Sequence, residues 1–134
     1  MQEVLDPGHK YCLLTLDGDL EQILTFVKRC DPEHPDKFPG NTNAYPGTTL
    51  QSVLRACLDR VRHLQGQHAC EENTQIVEKL RECLVLLETR AARRHEVPFD
   101  KTADQCEREE MCPVCGHVVC EHPKVSTEIP VGGA

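Results

Sequence analysis

Apolar residues at helical spacing between residues 48 and 95 constrain the fold of this chain more than any other feature. In the first run, apolar residues recur every three or four positions and form one stripe: Leu50, Val53, Leu54, Cys57, Val61 and Leu64. A second run has the same spacing, and its stripe consists of Ile76, Leu80, Cys83, Leu84, Leu87 and Ala91. Such spacing is typical of amphipathic helices that bury one face. The sequence therefore predicts two helices, joined by the short link "GQHAC", that pack as an antiparallel helical hairpin.

The ends of the two runs carry further helix signals. Thr48 and Gln51 have the spacing of a capping box ahead of the first helix. The second run begins with acidic residues and ends with arginines, a charge placement that suits the helix dipole. Apolar residues also lie outside its main stripe, at Val77, Val85 and Leu86. Because one partner helix cannot cover two faces, we expect either a homo-oligomer or packing beneath strands.

The N-terminal stretch "KYCLLTLDGDLEQILTFVKR" has the pattern of a β-hairpin. Two apolar runs, at residues 11–16 and 23–29, flank the turn pair Asp17-Gly18. Two strands alone are marginal in water, so this hairpin is expected either to pack on the helical hairpin or to pair with another chain. Residues 30–47 contain four Pro, two Gly and two Asn, which predicts a loop that serves either as a binding segment or as a plain connector.

These patterns predict a small α+β protein of three segments. Residues 1–47 would hold the β-hairpin and the Pro/Gly-rich loop. Residues 48–97 would form the helical hairpin, which oligomerises and binds a ligand. Residues 98–134 would form an acidic tail with a cluster of Cys and His, resembling a zinc knuckle.

The distribution of charge restricts the partners of the chain. The net charge is -7, and only residues 48–95 are basic, with eight Lys/Arg against six Asp/Glu. An acidic protein is poorly suited to bind duplex nucleic acid or an anionic membrane surface. No stretch of about 18 apolar residues occurs, and no secretory signal precedes the hairpin. We therefore expect a cytoplasmic protein with no membrane partner.

The segment "MCPVCGHVVCEH" has metal-ligand spacing. Its candidate ligands for a structural Zn²⁺ are Cys112, Cys115, Cys120 and His122, with His117 and Cys106 as alternatives for the fourth position. Four nitrogen and sulfur ligands favour a closed, structural site over a catalytic one. A redox pair of Cys112 and Cys115 is the alternative, although the strand and helix that flank such pairs in thioredoxin-like proteins are not predicted here.

Arginines at the end of the second helix are candidates for anion binding. Arg90, Arg93 and Arg94 recur at i, i+3 and i+4, and guanidinium groups bind phosphate oxygens through paired donors. The same residues could instead only compensate the helix dipole at a solvated helix end. No catalytic motif for a nucleophile, a nucleotide-binding loop or a metalloprotease occurs, so the sequence does not favour an enzyme.

The two helical runs together resemble the helical-hairpin domain of phage anti-defence sponge proteins, which sequester nucleotide second messengers of bacterial Thoeris and CBASS immunity. The similarity covers roughly residues 10–95 and rests on "PGTTLQSVLRACLDRVRHL" and "CEENTQIVEKLRECLVLLETRAARR". The preceding "YCLLTLDGDLEQILTFVKR" is similar to the strand region of the Thoeris-directed branch. The cysteine-rich tail has no counterpart in this resemblance.

The resemblance implies non-catalytic binding of a cyclic oligonucleotide or cyclic ADP-ribose-type messenger in the host bacterial cytoplasm during phage infection. It also implies pockets where chains meet, in homo-oligomers as large as hexamers. The ligand-binding residues that it implicates are Arg60, His68, Asn73, Arg90, Arg93 and Arg94. His68 stands where relatives carry an aromatic residue that stacks on a base. The alternative function is a zinc-containing protein-interaction adaptor that acts through the C-terminal tail.

Overall fold

The computed structural model describes residues 3–16, 18, 20–29 and 43–120 of the 134-residue chain. These residues form strands and three helices, which confirms the predicted α+β class. The chain divides into two compact units, Met1–Arg60 and Val61–Ala134, with the boundary inside the first helix. Within the described ranges, no helix has the length and apolar character needed to cross a membrane.

A three-stranded antiparallel sheet forms the N-terminal part of the first unit. Its strands, in spatial order, are β1 (Glu3–Asp6), β2 (Lys10–Leu13) and β3 (Gln22–Thr25). The pairing of β2 with β3 confirms the predicted hairpin, with Tyr11 opposite Leu24. Both strands are shorter than the apolar runs. The predicted turn residue Asp17 lies outside the described residues.

A second, two-stranded sheet forms from β4 (Lys28–Arg29) and β5 (Asn43–Tyr45). The last part of the predicted loop is therefore a strand, whereas residues 30–42 lie outside the described residues. The chain after β5 approaches the backbone that follows β3. A Cβ atom on Gly47 would lie 2.5 Å from the carbonyl carbon of Phe26, so only glycine fits at this position.

A hydrogen-bonded carboxylate joins the two sheets. Asp6 accepts a hydrogen bond of 2.6 Å from the hydroxyl of Tyr45 and one of 2.9 Å from Nζ of Lys28. These two hydrogen bonds lower the pKa of Asp6. Burial and the nearby Asp6 carboxylate raise the pKa of Tyr45 to about 12.

We expect the phenol of Tyr45 to titrate near pH 12, and we expect its pKa to fall when Asp6 is replaced by Asn but to stay above about 10, the ordinary value for tyrosine, because the burial remains. The pKa of Tyr45 is higher in the folded than in the unfolded chain. The contribution of its protonated phenol to the free energy of unfolding is therefore complete below about pH 10 and is lost as the pH rises through the folded-state pKa. Absorbance of the phenolate at alkaline pH measures this titration. A Tyr11→Phe background leaves Tyr45 as the only tyrosine. An unchanged titration in Asp6→Asn would contradict the assignment.

Both predicted helices are present, as α1 (Leu50–Gln67) and α2 (Glu71–Arg94). The cap of α1 differs from the prediction by one residue, because Thr49 Oγ1 accepts a hydrogen bond of 3.2 Å from the backbone N–H of Ser52. Thr48 instead forms an isolated parallel β-bridge with Phe26, outside the named strands.

A third helix, α3 (Ala103–Arg108), lies in the segment that the sequence predicted to be an acidic tail, and no helix was predicted there. Thr102 and Gln105 form a complete capping box at its start. The Thr-x-x-Gln spacing is visible in the sequence and could have identified this helix. Glu107 on its buried side forms ion pairs with Arg62 of α1 and Arg81 of α2.

The buried side chains of the second unit come from α2, α3 and the segment that follows: Leu84, Glu88, Ala91, Ala92, Cys106, Glu107, His117 and Val119. Leu84 and Ala91 confirm part of the predicted α2 stripe. Ile76 and Cys83 of the same stripe are exposed. The buried face of α2 is therefore rotated from the predicted stripe, and it includes a carboxylate, Glu88.

Candidate functional site

The "CPVCG" sequence folds into a tight turn that brings two cysteines together. Gly116 has a φ of 74°, a left-handed conformation that glycine adopts readily. Its N–H donates to the carbonyl of Cys112 over 2.8 Å, and the N–H of Cys112 donates to the carbonyl of His117 over 2.9 Å. The backbone of the turn is thus fixed at both ends by its own hydrogen bonds.

The thiols of Cys112, Cys115 and Cys120 converge, with their sulfur atoms all within 4.8 Å of one another. Sulfur ligands about 2.3 Å from a tetrahedral zinc ion lie about 3.8 Å apart, so this cluster needs little rearrangement to hold a metal. The backbone N–H of Val114 lies 3.4 Å from the Cys112 sulfur and donates to it. None of the eight described cysteines forms a disulfide. Three soft, converging donors fit a metal ion, as the spacing predicted.

The two thiols of the turn differ in acidity. Burial, reinforced by the thiols of Cys120 and Cys112, raises the pKa of Cys115 to about 12. Burial also acts on Cys112, but hydrogen bonds from the N–H groups of Cys115 and Val114 outweigh it, so the pKa of Cys112 is lowered. A bound divalent cation would favour the thiolate form of both residues and would displace the Cys115 proton.

Of the candidates for the fourth ligand, His117 has other partners. Its Nδ1 lies 3.3 Å from Glu88 Oε1, and its Nε2 lies 3.2 Å from Nη2 of Arg94. Cys106 is buried in α3 and is not part of the thiol cluster. His122 lies outside the described residues, so its role as fourth ligand stays a prediction.

Removal of one cluster thiol is expected to weaken Zn²⁺ binding by more than 100-fold, beyond the 10–100-fold typical of outer-shell substitutions. Affinity should also fall from pH 8 to pH 6, because binding displaces thiol protons. Competition with a chromophoric chelator measures both effects for Cys112→Ser and Cys120→Ser. The matched control is Cys57→Ser on the exposed surface of α1, which should bind as the wild type does. Equal affinity in all four proteins would contradict the metal centre.

The structure gives the following positions for the six predicted ligand-binding residues. Arg60 is exposed on α1, His68 is exposed after the end of α1, and Asn73 is half-buried in the first turn of α2. At the other end of α2, Arg90 and Arg93 are exposed. Arg94 is exposed as well, but its guanidinium contacts His117 and therefore contributes to the surroundings of the thiol cluster.

The two ends of α2 are too far apart to form one pocket within a single chain. Asn73 and Arg90 are separated by 17 positions of one helix, which corresponds to about 25 Å at 1.5 Å per residue. A groove along α2 contains none of the six residues. Its lining includes two carboxylates, and the full set is Glu78, Arg81, Glu82, Val85, Leu86 and Ala103. Such a groove is unfavourable for a phosphate group.

Two buried carboxylates, Glu88 and Glu107, were not identified from the sequence. Glu88 occupies the same face of α2 as Leu84 and Ala91, and an acid inside an apolar stripe is a visible signal that it needs a partner. Glu107 gives no comparable signal, because its arginine partners lie on two other helices.

Comparison of the chain with protein-family models, with curated proteins and with solved structures gave no match.

Proposed function

We propose that this protein binds a small anionic nucleotide second messenger and sequesters it without cleavage, as its resemblance to the anti-defence sponge proteins implies. The observation that supports this proposal most is the pair Arg90 and Arg93. Both side chains are exposed, and neither forms an ion pair with an acid among the described residues. Two adjacent guanidinium groups on the basic segment of an acidic protein suit a ligand with two phosphates.

The pocket that we propose forms between chains of a homo-oligomer. The 25 Å estimated between Asn73 and Arg90 supports this, because a second chain could bring one end of α2 to the other end of its neighbour. Exposed apolar residues on α2, Ile76 and Leu86, offer surface for such contacts. In the proposed assembly, α1 and α2 of each chain form an antiparallel hairpin on which the strand region packs. The oligomer contains up to six subunits.

We further propose that the bound metal is Zn²⁺ and that its role is structural. Three thiolates with His122 would give a closed tetrahedral site with no open position for a substrate. The ion would then fix residues 112–122 against α2. In this proposal the protein acts in the bacterial cytoplasm and needs no catalytic residue.

Isothermal titration calorimetry with cyclic dinucleotides, cyclic trinucleotides and cyclic ADP-ribose isomers tests the proposed binding. We expect a dissociation constant in the nanomolar range for at least one compound. The molar ratio of bound nucleotide to protein subunit should reveal pockets that are shared between chains. No heat of binding across the panel would refute the proposal.

The second candidate function is a protein-interaction adaptor that acts through the C-terminal tail. It is favoured by Val114, which is 37% exposed at the tip of the cysteine turn. Deletion of the tail would not separate the two functions, since it would also remove the partners of the buried Glu88. A Val114→Asp variant, with Gln75→Asp on α2 as control, avoids this problem. In bacteria that carry Thoeris or CBASS, a sponge should keep its counter-defence activity in Val114→Asp, whereas an adaptor should lose it.

A further inference from the structure

Glu88 is a buried acid on the apolar face of α2. Its side chain is 1% exposed, and its neighbours on the same face, Leu84 and Ala91, are buried as well. A carboxylate is costly to remove from water unless several hydrogen bonds replace its hydration. The α-helix itself supplies no such donors, because its backbone N–H groups bond to its own carbonyls.

Within the described part of the chain, all the hydrogen-bond donors to Glu88 come from three consecutive residues that follow the CPVCG turn. The backbone N–H of Val118 lies 3.1 Å from both Oε1 and Oε2, and the N–H of Val119 lies 2.9 Å from Oε2. The third donor is the ring of His117. These residues separate Cys115 from Cys120. The carboxylate therefore fixes the stretch of backbone that places the third thiol beside the first two.

The hydrogen-bond partners of His117 define which ring nitrogen carries the proton. Arg94 has only donors, so the Nε2 atom that faces its Nη2 at 3.2 Å must accept. The proton of the neutral ring is then on Nδ1 and is donated to Glu88. Because both ring nitrogens form hydrogen bonds to residues of α2, the imidazole is not available to bind a metal ion held by the adjacent thiols.

We propose that Glu88 is a positioning residue of the metal centre. It holds residues 117–119 so that Cys120 is close to Cys112 and Cys115 before the ion binds, and it keeps His117 out of the coordination sphere. This inference rests on the proposed metal site. Because Glu88 belongs to α2, metal binding and order in the second half of α2 support each other, as thermodynamic linkage requires.

The test measures Zn²⁺ affinity of the full chain by chelator competition, together with the visible absorption spectrum of the Co²⁺-loaded protein. Glu88→Gln should bind Zn²⁺ about 10- to 100-fold more weakly than the wild type, the range found when an outer-shell partner is lost. Its Co²⁺ bands should shift, because the ligand geometry is no longer fixed. Glu82→Gln, an exposed acid six positions earlier on α2, should match the wild type in both measurements.

Hydrogen exchange gives a second readout. Adding Zn²⁺ should slow amide exchange in the second half of α2 in the wild type, and this protection should be much smaller in Glu88→Gln. If Glu88→Gln keeps wild-type affinity and Co²⁺ bands while only its melting temperature falls, Glu88 is merely a structural residue and the proposal is wrong.

Should Glu88→Gln fail to fold, Glu88→Asp decides the question, because it keeps the charge but shortens its reach to the N–H groups. The same loss of affinity would support the proposal, and wild-type affinity would overturn it. A wild-type chain that does not bind Zn²⁺ would refute the metal centre and this inference together. Calorimetry with nucleotides would still decide the sponge proposal separately.

Discussion

Replacement of Glu107 by Gln is expected to lower the free energy of unfolding by about 3 kcal/mol, near the lower end of the range for a broken buried ion pair. The Glu107 side chain is 7% exposed and contacts Arg62 and Arg81 of two different helices. Its Oε2 accepts from Nη2 of Arg62 over 3.1 Å and lies 3.1 Å from Nε of Arg81. A neutral amide leaves two guanidinium groups without a counter-charge. Both arginines remain about one-third exposed, so water compensates part of the loss.

Urea denaturation followed by far-ultraviolet circular dichroism measures this effect. The matched control is Glu109→Gln, two residues further along the chain. Glu109 pairs with Lys101 at 2.9 Å, but both side chains are partly exposed. Such a pair contributes about 1 kcal/mol or less. Equal losses in the two variants would show that Glu107 does not hold the three helices together.

Replacement of Arg90 and Arg93 together by Gln should weaken binding of the nucleotide by about 100-fold or more. Each hydrogen bond to a charged group contributes about 1.5–3 kcal/mol, and about 1.4 kcal/mol corresponds to a tenfold change in affinity. The Arg94→Gln variant should act differently. Because Arg94 contacts His117, its substitution should disturb the thiol cluster as well.

Calorimetry of the Arg90→Gln/Arg93→Gln double variant provides the measurement. A Lys10→Gln/Lys79→Gln double variant removes the same net charge from other positions and should keep binding within a few-fold of the wild type. If both double variants lose affinity equally, the effect comes from the overall charge and not from a site at the end of α2. Unchanged binding in Arg90→Gln/Arg93→Gln would contradict the assignment of these two residues.

The parts of the fold that the sequence predicted are those with a long periodic signal. The helical spacing located α1 and α2 within a few residues, because each helix repeats its apolar pattern over several turns. The spacing of Cys112, Cys115 and Cys120 located the thiol cluster, because a metal site depends on local turn geometry. The hairpin of β2 and β3 was found from two apolar runs, although its ends were not.

The features that the sequence did not predict depend on short elements or distant partners. β1, β4 and β5 contain two to four residues each, too few for an alternating pattern to be distinctive. The buried positions of Glu88 and Glu107 depend on partners that lie 26 to 45 positions away in the chain. Linear spacing carries no information about such pairs. The rotated face of α2 has the same cause, since the cysteine turn and α3 determine which side is covered.

The central claim is that the protein holds a nucleotide messenger intact. The most direct test is to incubate the protein with each compound of the panel, remove unbound nucleotide by gel filtration, denature the protein by heat and chromatograph the supernatant. We predict that one or more compounds are retained and are recovered chemically unchanged. Recovery of a cleaved product would indicate a hydrolase, and the absence of any retained nucleotide would contradict sequestration altogether.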